Sequence, residues 1–158
     1  MARVMFALFA ERVSIDRFNN ALDVHNVIEV LQTSEPPAAI QAKARKAKQH
    51  LAARVRLTLL IHWRRTTASA AEGHLRQRVQ LFSPKGLPLS TSEQEFTLRD
   101  FQYTRNLVGF EVLPIAGEGT YTARISLKSG KRWREVGNAS FELQYIKPPA
   151  QADKRRLH

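Results

Sequence analysis

Arg54, Arg56, His62 and Arg64 share one parity of the segment Arg54–Arg64, while Val55, Leu57, Leu59, Ile61 and Trp63 share the other. Successive side chains of a strand point to opposite faces, so this spacing predicts one apolar face and one cationic face. The strand belongs to a longer basic block. Between Pro36 and Ala71 there are eight lysines and arginines (Lys43, Arg45, Lys46, Lys48, Arg54, Arg56, Arg64, Arg65) and no carboxylate, whereas residues 72–146 hold ten basic and eight acidic side chains. A rigid array of this kind attracts polyanions through counterion release and long-range steering. His62 has two readings, a pH-sensitive member of the cationic face or a polar residue on a solvated one.

Other chemistry is sparse. His25, His50, His62, His74 and His158 contain no pair at the i, i+4 spacing of a metal-binding helix, and the chain has no cysteine. His25 lies near Asp23 and Glu29, and Glu93 and Glu95 stand two apart on a strand, a spacing shared by paired acid–base carboxylates and by any solvated edge. Nucleophile elbows, phosphate-cradling loops and glycine-rich dinucleotide turns do not occur. No catalytic, metal or cofactor-binding residue is therefore assigned, and the expected role is non-catalytic.

These residues must be placed by a chain of 158 residues with net charge +11, a length suited to one domain with one core. The absence of cysteine fits a reducing compartment, with the cytoplasm as default. The apolar opening Met1–Ala10 has signal-like composition but runs on into globular sequence, and reads as a buried first strand.

Period-two alternation predicts strands at Arg3–Ala10, Leu22–Leu31, Arg54–Arg64, Leu75–Phe82, Glu93–Arg99, Leu107–Leu113, Thr120–Leu127, Trp133–Val136 and Asn138–Ile146. Ala38–Ala53 alone has helical character, with a thin apolar stripe of Ile40, Ala44, Ala47 and Leu51. Short strands with frequent turns predict an all-β fold, a single antiparallel β-sandwich of about seven to nine strands over residues 1–147, interrupted by a basic insertion at 38–53. The basic tail 148–158 reads as disordered.

Several phrases support a resemblance. Phe6–Glu11 leading to Val13–Asp16, Asn19–Leu22, Asn26–Glu29, Leu81–Gly86, and Gly117–Tyr121 followed by Ile125 resemble segments of a family of small bacterial β-sandwich proteins of unassigned function. The resemblance implies the fold and a bacterial or phage-borne origin, and no ligand residues. The chain departs from that pattern where Ala38–Ala53 swells the connection after the second strand.

If Arg54–Arg64 and Leu75–Phe82 form a hairpin, then Arg54, Arg56, His62, Arg64, Arg76 and Arg78 share one face, with Lys43, Arg45, Lys46 and Lys48 nearby. The expected partner of this patch is an acidic protein, with nucleic acid as the alternative, no membrane contact, and a hydrolase with an unrecognised site as a distant third. Leu60 and Phe82, on the otherwise polar faces, are the candidate apolar anchors.

Overall fold

The computed structural model describes residues 2–36, 38–49, 51–66 and 74–146. In order they form β1 (Ala2–Ile15), β2 (Leu22–Val27), β3 (Val30–Ser34), α1 (Ala38–Lys46), β4 (Leu51–Arg65), β5 (Leu75–Phe82), β6 (Pro88–Phe96), β7 (Tyr103–Ile115), β8 (Gly119–Ser129) and β9 (Arg132–Ile146). The fold is all-β with one short helix. The strands build a four-stranded sheet, β2-β1-β4-β7, and a five-stranded sheet, β3-β9-β8-β5-β6. The expected tail 148–158 lies outside the described residues.

Alternation places the core. Leu57, Leu59, Ile61 and Trp63 of β4 are buried against Val79 and Leu81 of β5, Tyr121, Ala123, Ile125 and Leu127 of β8, and Ala139, Phe141 and Leu143 of β9. One core therefore draws on the inward faces of both sheets, and aromatic rings cross between them: Phe9 of β1 meets Phe141 of β9 edge-on at 5.0 Å. β9 runs unbroken through Gly137 where two strands were expected. A Cβ there would stand 3.3 Å from Val4 Cβ, so a side chain would push β1 away.

A polar cluster crosses the same interior. Gln77 of β5 is fully buried at 0% exposure. Its Oε1 accepts from Trp63 Nε1 at 3.0 Å and from Asn106 Nδ2 at 2.8 Å, and its Nε2 donates to Gln94 Oε1 at 2.7 Å. Gln94 Nε2 in turn donates to the Leu107 carbonyl at 3.1 Å. Trp63, Asn106 and Leu107 belong to the four-stranded sheet, Gln77 and Gln94 to the other. Buried donors left unpaired are costly, so this cluster ties the sheets in one relative position.

Three expectations are corrected. The strand Leu22–Leu31 is two strands in different sheets: Asn26 takes φ 52°, Ile28 N donates to Phe9 O, and Glu142 N donates to Glu29 O as the chain crosses over. The crossing brings β3 in alongside β9 in the same direction, so the five-stranded sheet is not wholly antiparallel. The helix stops at Lys46 because Lys48, at φ 52°, closes it: Gln49 N donates to Ala44 O and Lys48 N to Arg45 O, the paired bonds of a Schellman cap.

β1 also does more than its sequence suggests. It pairs with β4 from Ala2↔Arg65 to Ala10↔Thr58, then with β2 from Ala10↔Val27 to Ile15↔Leu22. Running straight, Ile15 would approach the Leu51 end of β4. Instead the turn beyond it touches the opposite end of the sheet, where Arg105 Nη1 donates to Asn20 O at 2.9 Å and to Asn20 Oδ1 at 3.1 Å. The β1–β2 hairpin thus folds back across the outward face of its own sheet. That explains why Leu60, which points outward between Leu8 and Leu107, is 0% exposed. Leu60 is consequently not a surface anchor.

Tyr121 fixes the turn into β8. Its hydroxyl accepts from Ala116 N at 2.8 Å and donates to Gly117 O at 2.9 Å, and burial raises its pKa above the usual phenol value.

Replacing Gln77 with leucine should strand the Trp63 and Asn106 donors. Urea unfolding is expected to show a loss of about 2–3 kcal/mol with an unchanged denaturant slope. A loss below about 0.5 kcal/mol would show that the cluster does not hold the sheets together.

Candidate functional site

The hairpin expected between Arg54–Arg64 and Leu75–Phe82 does not form. β4 pairs with β1 and β7, while β5 pairs with β6 and β8. Since Trp63 and Gln77 face each other across the core, the outward residues of β4 and β5 point in opposite directions. Arg54, Arg56, His62 and Arg64 therefore lie on one side of the molecule and Arg76 and Arg78 on the other.

On the five-stranded side Arg76, Arg78 and Arg124 are engaged locally. Glu93 on β6 binds Arg76 and Arg78, each at 2.6 Å, and its pKa is held below the usual carboxylate value chiefly by the hydrogen bond from Arg78. Arg78 also lies 4.1 Å over the Trp133 ring, and Arg124 lies 4.4 Å over Phe82 and 4.0 Å from Glu135. Phe82 is thus the floor under a guanidinium, and Glu93 is an ion-pair partner.

The four-stranded side differs. Cross-strand registers align Arg3, Arg64 and Tyr103 in one row and Phe6, His62 and Arg105 in the next. Neither row contains a carboxylate. Phe6 is 40% exposed and Tyr103 47% exposed, and they flank His62 edge-on at 4.9 Å and 5.5 Å. Phe6 was expected inside. A register shift between Val4 and Phe6 turns it outward, and an apolar run gives no sign of such a bulge. Arg64 sits 5.9 Å from the Tyr103 ring centre. Both ring nitrogens of His62 are inaccessible and unpaired, and its pKa is lowered, first by burial and then by Arg105. His62 therefore acts as a packed neutral ring.

Further along this face a groove of about 540 Å³ opens beside the folded-back hairpin, lined in part by Arg12, His25, Arg56, Thr58 and Glu111. Its own charges are mixed. Asn26 Nδ2 holds Glu11 at 2.7 Å, and His25 Nε2 meets both Asp23 at 2.8 Å and Arg12 at 3.3 Å, so one tautomer serves the carboxylate and the other accepts from the guanidinium. By contrast Arg54 and Arg56 are exposed and form no side-chain ion pair or hydrogen bond among the described residues.

The remaining members of the basic block divide. Lys43, Arg45 and Lys46 occupy the last turn of α1, where cations complement the helix dipole. Arg45 shares a groove with Leu51, Lys85 and Glu118, which places α1 at the end of the body from which β4 departs. Arg65 is structural, donating to the carbonyls of Leu98 and Arg99 at 3.3 Å and 2.8 Å. Among the described residues no group of three or more His, Asp or Glu side chains could hold a metal ion, and no helix is long and apolar enough to cross a membrane.

Because the folded state disfavours protonated His62, the unfolded chain takes up that proton first. Its contribution to stability is present above pH 6.5 and is lost as pH falls toward the lowered pKa. Urea midpoints between pH 7.5 and 5 should fall less in a His62→Leu variant than in the parent, and parallel curves would contradict this assignment. Set against known proteins, the chain matches no protein-family model and no curated protein sequence, so its functional reading rests on this surface chemistry.

Proposed function

We propose that this chain is a non-catalytic β-sandwich module that binds an acidic protein through the outward side of its four-stranded sheet. The sandwich reading draws support from the core shared by the two sheets and from the Tyr121 hydroxyl bound to the backbone four residues upstream, a device that recurs at sandwich corners.

The observation that carries the binding role is the segregation of charge partners. Among the described residues, the arginine–carboxylate bridges, from Arg76, Arg78 and Arg124, all lie on the five-stranded sheet. Arg3, Arg54, Arg56 and Arg64 lie on the four-stranded sheet without a carboxylate partner among the described residues. Charges already paired on their own sheet offer little to a partner, whereas unpaired guanidinium groups on a rigid ladder can pair with incoming carboxylates at small conformational cost. The cations of α1, Lys43, Arg45 and Lys46, and Lys48 of its cap extend the field at the Leu51 end of β4.

Direct nucleic-acid binding is the second reading, favoured by Phe6 and Tyr103 exposed beside Arg3 and Arg64. Bases stack on rings set in such a cationic surround.

Neutralising Arg54, Arg56 and Arg64 to glutamine should lower the salt needed for elution from heparin more than neutralising Arg76, Arg78 and Arg124. Equal shifts would remove the four-stranded side from consideration. Fluorescence titration with polyglutamate and with oligothymidylate at low and moderate salt separates the two readings. Tighter binding of polyglutamate supports the acidic-protein reading, and tighter binding of oligothymidylate replaces it with the nucleic-acid one.

A further inference from the structure

The split in the four-stranded sheet leaves two strand edges facing the same opening. β1 stops pairing with β4 at Ala10↔Thr58, so over Leu51–Leu57 β4 has β7 as its ladder partner on one side, with a register shift between Arg54 and Leu57, and none described on the other. β3 is the terminal strand of the five-stranded sheet and is paired on one side only, with β9. A cavity of about 380 Å³ lies between them, with Leu31, Gln32 and Thr33 of β3 on one wall and Ala53 to Arg56 of β4 on the other. Its apolar lining includes Ile28, Leu31, Ala53, Val55 and Ile115. An unpaired edge presents backbone donors and acceptors at strand spacing, which is what an added strand requires.

The side chains along the edge narrow the occupant. Ala53 and Val55 are half-buried toward the core, while Arg54 and Arg56 are exposed. A strand laid beside β4 alternates in the same way, so residues level with Ala53 and Val55 enter the apolar lining and residues level with Arg54 and Arg56 stay at the rim. The rim also contains Glu11, already held by Asn26. Complementarity then asks for apolar side chains at one parity and carboxylates at the other.

Resting on the acidic-partner reading above, we propose that the partner contributes an extended segment alternating apolar and acidic residues, which adds as a strand to the Leu51–Leu57 edge of β4. Main-chain hydrogen bonds supply affinity, the lining selects the apolar parity, and Arg54 with Arg56 selects the acidic one.

The test uses the full chain and a short acetylated peptide alternating valine and glutamate, followed by calorimetry and backbone amide shifts. Saturable binding is expected, with shifts concentrated at residues 51–57 and 30–34. N-methylation of all valines in one analogue and of all glutamates in another blocks each edge of the peptide in turn, and at least one should bind tenfold or more weakly. An analogue of the same composition with valines and glutamates in separate blocks should lose as much. Exposed double variants, Arg54→Gln with Arg56→Gln and Arg54→Glu with Arg56→Glu, should weaken the peptide progressively.

If both methylated analogues and the block analogue bind like the parent peptide, strand addition is overturned while the acidic-partner reading survives. Absence of binding by the parent peptide overturns strand addition as well. Unweakened binding by the charge-reversed variant overturns the role of Arg54 and Arg56, and with the heparin comparison it separates failure of this mode from failure of the broader reading. An oligothymidylate that displaces the peptide and binds more tightly makes the slot a nucleic-acid site and likewise overturns it.

Discussion

The Gln77 carboxamide is the constraint from which the arrangement of this molecule follows. A buried indole N–H and the half-buried Asn106 amide must find acceptors, and the fully buried Gln77 Oε1 receives both Trp63 Nε1 and Asn106 Nδ2. In this fold that is achieved with β5 facing β4 and β7 across the core. Once the inward faces are committed to each other, the outward faces must diverge. The separation of Arg54, Arg56 and Arg64 from Arg76 and Arg78 thus goes with the sheet arrangement that satisfies the polar cluster.

Divergence gives the two surfaces different fates. Arg78 lies between Glu93 and the Trp133 ring, and Arg124 between Phe82 and Glu135, so each of these two guanidinium groups has a ring and a carboxylate from its own neighbourhood. Exposed bridges of this kind contribute little to stability because solvent screens them. Their larger effect is to withdraw those charges from outside partners. On the other sheet the hairpin of β1 and β2 covers Leu60 and binds Arg105 through its tip, which shields the apolar middle of the face and leaves cations and exposed rings around it.

What alternation reports is which side of a strand is wet, and there the sequence was informative. The inward sets of β4, β5, β8 and β9 were readable, Gln77 among them, and a polar residue at an inward position is itself a sign that a buried partner exists. Pairing was not readable, because a period-two pattern carries no information about the neighbouring strand, and the connection after Arg64 suits a crossing between sheets as well as a hairpin. Local irregularities were hidden too. The positive φ of Asn26 divides what looks like one strand, and the bulge between Val4 and Phe6 exposes a residue from a continuous apolar run. Leu60 was misread for a third reason: its cover comes from residues more than thirty positions earlier in the chain. Of the ten candidate site residues, Arg54, Arg56 and Arg64 kept their predicted exposure and direction, His62 became packing, and Arg76 and Arg78 became ion-pair members.

The open edge of β4 raises a problem that its charges also answer. Unpaired edges invite self-association, and soluble sheet proteins commonly guard them with charged side chains. Two copies meeting along this edge would bring Arg54 and Arg56 of one beside the same residues of the other, and contact that excludes water would strengthen their repulsion. The same pair attracts a strand whose rim residues are carboxylates. Guarding and selection are therefore not competing accounts of these arginines: the same sign of charge disfavours pairing of this edge with its own copy and would favour an acidic strand. Backbone groups alone could not make that distinction, since every strand offers the same donors and acceptors.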